Sequence, residues 1–329
     1  MSATVATEGL SCWVLSEGMA GTENQCLALA VALGLTPVVK RAAVNKPWRW
    51  LGAAMAALPP RLLAQGHDSL APPWPDLVIA SGRKCAGLAL AIQRASRGRT
   101  FTIFVQNPRL GSARFDLIVA PRHDGIAGAN IFTTSGALSR VNPAELKSAA
   151  AEFAPAFADL PRPLIACLIG GTSRRHRLTP ADGRALGAAL AKLAADTGGS
   201  LLITPSRRTP EPSFAALEIA VDDAPAYIWR REGANPYFGF LAVADAVLVT
   251  GDSVGMVSDA CSSGKPVYIL PVAGQRSVRF GRFFATLEAE GVARPFSGSL
   301  ESWDYDPLND CALAAGEIRR RLEMRQKTK

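Results

Sequence analysis

Short apolar runs alternate with longer stretches of helical periodicity along this chain, and several of the short runs end at glycine, serine or asparagine. This alternation constrains the fold more than any other feature. A strand that leads through a helix to the next strand returns parallel to the first, with a right-handed crossover. The strand candidates in the first half are Cys12–Leu15, Pro37–Lys40, Leu77–Ala80, Phe101–Val105 and Leu117–Ala120, with helical patterns at Thr22–Leu33, Trp48–Ala57 and Lys84–Ala95. In the second half the strands are Leu164–Ile169, Leu201–Thr204, Ala226–Trp229, Val247–Thr250 and Val267–Leu270. Helices are expected at Pro180–Asp196, Glu211–Ala220, Ser253–Ser262 and Arg279–Glu290. The expected fold class is α/β, with two doubly wound, Rossmann-like parallel sheets.

The 329 residues suit two domains rather than one, and 48% apolar against 19% charged residues leaves ample material for two cores. The stretch Phe153–Pro163 holds Pro155, Pro161 and Pro163 and reads as an extended linker. The boundaries expected are therefore residues 1–159 and 160–306, followed by a basic helix in 307–329 that packs back on the first domain or lies on an anionic surface. Two such domains are expected to bind ligand in a cleft between their strand C-termini.

The net charge of +8 points to an anionic partner. The positive residues fall in short groups, such as Arg174, Arg175 and Arg177, Arg207 and Arg208, and Arg319 to Arg321. Arginine pairs at loop positions fit phosphate contacts, and no helix-turn-helix, zinc-finger or RNA-binding signature is visible, so no nucleic-acid partner is expected. The six cysteines include no C-x-x-C pair and several lie in apolar runs, as free thiols of a reducing compartment do. The start lacks a basic region ahead of an apolar run, and no stretch of 18 apolar residues is uninterrupted. A cytoplasmic protein is expected, with a location peripheral to the inner membrane if the basic helix meets anionic lipid.

Five turns at strand C-termini are the candidates to carry the chemistry. Gly170-Gly171-Thr172-Ser173-Arg174 follows a strand directly; its glycines let backbone amides approach a diphosphate and its hydroxyls and guanidinium add donors. Gly251-Asp252-Ser253-Val254 opens a helix whose unpaired N–H groups favour a phosphate, and Ser258 and Asp259 lie further along it, Asp259 as a carboxylate for ribose hydroxyls. On the acceptor side, Glu17-Gly18 and Gly21-Thr22-Glu23-Asn24-Gln25 follow the first strand. Ser81-Gly82-Arg83-Lys84 and Gln106-Asn107-Pro108-Arg109 follow the third and fourth. Glu17, Glu23 and His123 are the candidate general bases. Each turn also has a plain reading as a helix cap or solvated loop, and their repetition is what points to a site. His67, His123 and His176 are isolated, so no metal site is expected, and no cofactor is needed beyond a nucleotide-sugar substrate.

The set Gly18-Met19-Ala20-Gly21-Thr22-Glu23-Asn24-Gln25, Ser81-Gly82-Arg83-Lys84, Gln106-Asn107-Pro108-Arg109, Ile169-Gly170-Gly171 and Thr250-Gly251-Asp252-Ser253 resembles the mitochondrial fission "elongated mitochondria" family over nearly the whole chain. That family is in turn similar to GT-B glycosyltransferases, whose donor-nucleotide segment Ala244–Val267 resembles, with Asp259 where those enzymes carry a longer glutamate. The resemblance implies metal-independent transfer from a nucleotide-diphosphate sugar to an envelope glycolipid or saccharide. A scaffold that kept the fold and lost the chemistry is the alternative, and a sugar-nucleotide epimerase is a third reading.

Overall fold

The computed structural model describes residues 7, 9–42, 60, 68–109, 111–173, 176–272 and 277–327; the expected helix Trp48–Ala57 lies outside them. Contacts divide the chain into two units. The first is Met1–Arg140 with Asn309–Lys329, and the second is Val141–Leu308.

In the first unit, β1 (Cys12–Ser16), β2 (Val38–Arg41), β3 (Leu77–Ser81), β4 (Phe101–Val105), β5 (Leu117–Pro121) and β6 (Ile131–Thr134) form one parallel sheet in the order β2-β1-β3-β4-β5-β6. The residues of β1, β3, β4 and β5 are buried throughout, as strands covered on both faces must be. One face packs Trp13, Leu15, Val78 and Phe104 against α2 (Arg83–Ala95). The other packs Val14, Ile79 and Ile103 against α1 (Ala20–Ala32) and against the chain's last helix, whose Ala314, Ala315, Ile318 and Leu322 complete that core.

The second unit has the same plan. Its strands are β7 (Leu164–Ile169), β8 (Ser200–Pro205), β9 (Ala226–Ile228), β10 (Ala246–Thr250), β11 (Val267–Leu270) and β12 (Ala293–Pro295), in the order β12-β11-β10-β7-β8-β9 and all parallel. Between and around them run α3 (Pro143–Phe153), α4 (Pro180–Thr197), α5 (Glu211–Ala220), α6 (Tyr237–Val243), α7 (Val254–Cys261) and α8 (Val278–Ala289). Helix α4 shows how strictly the local sequence sets an end. Thr179 and Asp182 form a reciprocal capping box, Pro180 occupies the first turn, and Gly198 ends the helix at φ +65°.

The division at Arg140/Val141 differs from the proline-bearing seam expected at 159/160. Helix α3 and the segment after it join the second core, where Val141 and Phe157 are buried among β7, β8 and α6. Phe153 packs so tightly that a Cβ on Gly239 would stand 2.6 Å from its own Cβ. The last helix, α9 (Asp310–Lys327), lies on the first unit. Its arginines are pins: Arg319 donates to the Ala32 carbonyl at 2.8 Å, Arg321 to Ala129 at 2.7 Å, and Arg325 to Gly98 and Arg99. Among the described residues no helix is long and apolar enough to cross a membrane.

Candidate functional site

In an open doubly wound sheet, ligands bind outside the strand C-termini where the strand order reverses, because the flanking turns diverge there. The first sheet reverses between β1 and β3, the second between β7 and β10. The predicted turns fall at both places.

In the first unit the reversal is occupied by the chain itself. Glu17, just after β1, accepts a hydrogen bond from the Lys84 backbone N–H at 2.9 Å, and its other oxygen lies 3.1 Å from Lys84 Nζ. Gly82 precedes α2 at φ +91°, and a Cβ there would stand 2.6 Å from Glu17 Oε1. The helix start that was expected to attract an outside anion therefore holds an internal carboxylate, with the glycine making room for it. Arg83 is exposed, and the Ser81 hydroxyl is spent on the Val105 carbonyl.

Glu23 is buried and makes a two-pronged ion pair with Arg41, at 2.9 and 3.3 Å. The Arg41 guanidinium, then the Ser16 hydroxyl, hold its carboxyl below the usual range. Around it, Gly18 at φ +80° donates to Ser16 Oγ, the Thr22 hydroxyl bonds the Met19 carbonyl, and Gln25 Nε2 bonds the Gly21 carbonyl. Gly21 and Asn24 are exposed. After β4, Gln106 and Arg109 take left-handed φ of 77° and 67°, a conformation residues with side chains seldom adopt, and Asn107 Oδ1 accepts the Arg109 N–H at 2.7 Å. His123 lies in a short turn, Arg122–Asp124, with its side chain 1% exposed and Nε2 3.9 Å from Asp124 Oδ1.

In the second unit the reversal is built around Asp252. Its carboxylate is 2% exposed and collects three donors: Gly171 N–H at 2.9 Å, the Thr250 hydroxyl at 2.7 Å and Arg208 Nη2 at 3.0 Å. Thr250 Oγ1 in turn accepts the Gly170 N–H at 2.7 Å. The two glycine amides expected to face a phosphate thus point into the protein. The glycines serve close approach, since a Cβ on Gly170 would lie 1.8 Å from Asp252 Oδ1, and one on Gly171 2.0 Å from the Arg208 carbonyl.

The turn after β8 is tied into the same knot. Thr172 N–H bonds the Arg208 carbonyl at 3.0 Å, and the Thr209 hydroxyl bonds the carbonyls of Ile169 and Gly170. Arg231 holds this turn from outside, donating to the Ser206 and Thr209 carbonyls and pairing with Glu211 at 2.7 Å. Ser173 is exposed at the turn's rim, and Arg174 lies outside the described residues.

Asp252 leads directly into α7. Gly251 donates to the Leu270 carbonyl, which seats the turn on β11. Ser253 caps the helix by accepting from Met256 N–H at 3.4 Å, so the amides of Val254 and Gly255 head the helix. A Cβ on Gly255 would meet nothing within 4 Å among the described residues, so the side of the first turn on which Gly255 lies is open. Ser258 is buried and bonds back to the Val254 carbonyl. Asp259 sits a turn and a half along, accepting from the Tyr237 hydroxyl at 3.1 Å. Burial first, and then Asp259, push the Tyr237 phenol well above its ordinary value, which keeps it a proton donor in this pair.

With this geometry in view, the family model described as Mitochondrial fission ELM1 matches residues 20–322. The chain belongs to that family. The mitochondrial fission protein ELM1 of Arabidopsis thaliana is 36% identical over 285 residues, which cover 76% of this chain and 65% of the plant protein, so the chain spans less than two thirds of that relative. Among solved structures, the S. aureus MnaA–UDP co-structure superposes with a TM-score of 0.55 at 14% identity, covering 97% of each chain. The UDP-GlcNAc 2-epimerase of Methanocaldococcus jannaschii, solved with UDP-GlcNAc and UDP, gives 0.51 at 14% identity, covering 96% of this chain and 99% of that one. At such identity these likenesses show the fold, a GT-B-like pair of parallel α/β units.

Within this family member, Gly170, Gly171, Thr250 and Asp252 come together at the second reversal as one cluster. Arg208, Thr209 and Thr250 belong to the same cluster; the sequence marks Arg208 as one of an arginine pair and Thr250 as the head of the Thr250-Gly251-Asp252-Ser253 motif, and does not single out Thr209. The signal available for Thr209 is position alone, four residues beyond the end of β8.

Proposed function

We propose that the chain binds a nucleotide-diphosphate sugar at the strand reversal of its second unit and transfers the sugar to a hydroxyl of an envelope glycolipid or saccharide. The observation that carries this reading is the open, Ser253-capped start of α7, set at the β7/β10 reversal and fixed there by the Asp252 knot. The amides of Val254 and Gly255 carry partial positive charge, so the diphosphate is the group that fits them. Asp259, oriented by Tyr237, is the carboxylate for the ribose hydroxyls. The two fold neighbours are solved with UDP and with UDP-GlcNAc, which puts uridine nucleotides first among those to try. In transfer, charge builds on the departing diphosphate, and preorganised donors at that position lower the barrier.

A second reading, binding without turnover, is favoured by one observation. Glu17 is committed to Lys84 and the α2 start, and Glu23 to Arg41, so neither stands as an uncommitted base.

A thermal-shift panel of UDP, GDP, ADP, CMP and their sugar conjugates tests the binding, because a ligand of the native state raises the melting temperature. A selective rise with one diphosphate is expected. No rise with any nucleotide removes the reading. Incubation with the matching sugar conjugate then separates transfer from silent binding, and product analysis reveals any epimerised sugar.

A further inference from the structure

Resting on the nucleotide reading above, we infer that Arg208 is the cation that meets the diphosphate, and that Asp252 is its positioning residue. The amides of Gly170 and Gly171 are engaged by Thr250 and Asp252, so these two amides are not donors to a diphosphate. Arg231, which follows β9 and braces the Ser206–Thr209 turn from outside, is committed to Glu211 and two carbonyls.

Arg208 differs from both. Its backbone is fixed at two points, by Thr172 N–H on its carbonyl and by its own N–H on Ser206 Oγ at 3.2 Å. Its guanidinium is steered by Asp252 through Nη2, while 42% of the side chain stays exposed. A guanidinium has five N–H donors in a rigid fork, so one bond to Asp252 orients the group and leaves the rest of the fork for phosphate oxygens. Asp252 immediately precedes Ser253, so the same carboxylate that steers Arg208 sits beside the α7 start. Buried there without partners it would repel a phosphate; with Gly171, Thr250 and Arg208 donating to it, its charge is compensated and its role becomes orientation.

The test is calorimetric titration of the full chain with UDP, GDP and ADP, using uridine, guanosine and adenosine as phosphate-free controls. Arg208→Ala is expected to weaken the preferred diphosphate about 10- to 100-fold, the range of a charge-assisted phosphate bond, and to leave nucleoside binding unchanged. Arg208→Lys is expected to recover part of the loss, since it restores charge without the fork. Asp252→Asn is expected to weaken binding about 3- to 10-fold alone, and to have a clearly smaller effect in the Arg208→Ala background, where only its hold on the Gly171 and Thr250 turns remains to be lost. Wild-type affinity in Arg208→Ala overturns the inference and leaves the nucleotide reading standing. A wild-type chain that binds none of the three diphosphates overturns both. An equal effect of Asp252→Asn in the two backgrounds removes the positioning role, because a purely structural carboxylate acts regardless of the arginine. All titrations are run well below each variant's melting temperature, and Arg208→Ala decides the main point even if Asp252→Asn does not fold.

Discussion

Replacing Asp252 by alanine removes the acceptor on which three turns of the second unit converge. The cost can be worked from its partners. The Gly171 N–H and the Thr250 hydroxyl are both buried, and each loses its acceptor. A buried donor left unsatisfied costs about 1–3 kcal/mol. Arg208 adds little, since its side chain is 42% exposed and water replaces the carboxylate. The two buried donors together give about 4 kcal/mol. For a unit of this size that corresponds to a fall in melting temperature of roughly 10 °C. Differential scanning calorimetry, with proteolysis to assign each transition, reads it directly. The transition belonging to Val141–Leu308 should fall, and that of the first unit should stay. Asp252→Asn keeps the shape and one oxygen and should lose less than half as much. A fall below about 2 °C for Asp252→Ala, in a chain that still folds, refutes the claim that this carboxylate holds the turns together.

Gly171→Ala drives a Cβ against the Arg208 backbone carbonyl, which no side-chain rotation relieves, and should cost about 3 kcal/mol in the same assay. Gly255→Ala, facing open space in a helix, should instead stabilise the unit by up to about 1 kcal/mol. Ile318→Ala, in the fully buried part of α9, should lower the first unit's transition by about 2–4 kcal/mol, whereas no effect would mean that α9 is not part of that core. Glu23 has a folded pKa held below its unfolded value by Arg41. Its contribution to stability is therefore present above the ordinary glutamate range and is lost as pH falls through the lowered value. Urea midpoints of Glu23→Gln and the parent should converge as pH is lowered past that range; a constant gap would show that the ion pair does not set the shift.

The fold was largely legible because strands buried on both faces read as unbroken apolar runs, and Phe101–Val105, Leu164–Ile169 and Val267–Leu270 fall where expected. The strands not anticipated, Ile131–Thr134 and Ala293–Pro295, are short edges of the two sheets, where one side is unpaired and the apolar signal is weak. Helix α3 carried a local signature, Asn142 capping Ala144 and Glu145 with Pro143 in the first turn. Its partner was not legible, since Phe153 meets Gly239 far along the chain.

The site shows the same split. Glycine after a strand announces that something approaches the backbone, and at Gly170 and Gly171 that something is Asp252 and the Arg208 carbonyl. Pattern cannot separate an internal ligand from an external one. Glu17 repeats the lesson: a carboxylate and a lysine-bearing helix start, each suited to an outside partner, satisfy one another.

Amide hydrogen exchange with and without the diphosphate that the thermal panel selects locates the bound nucleotide most directly. Slower exchange is expected in the peptides covering Gly251–Val257 and Ser206–Thr209, with unit-one turns Glu17–Gln25, Ser81–Lys84 and Gln106–Arg109 unchanged. Protection confined to those unit-one turns, or absent at saturating ligand, would contradict a nucleotide site at the second reversal.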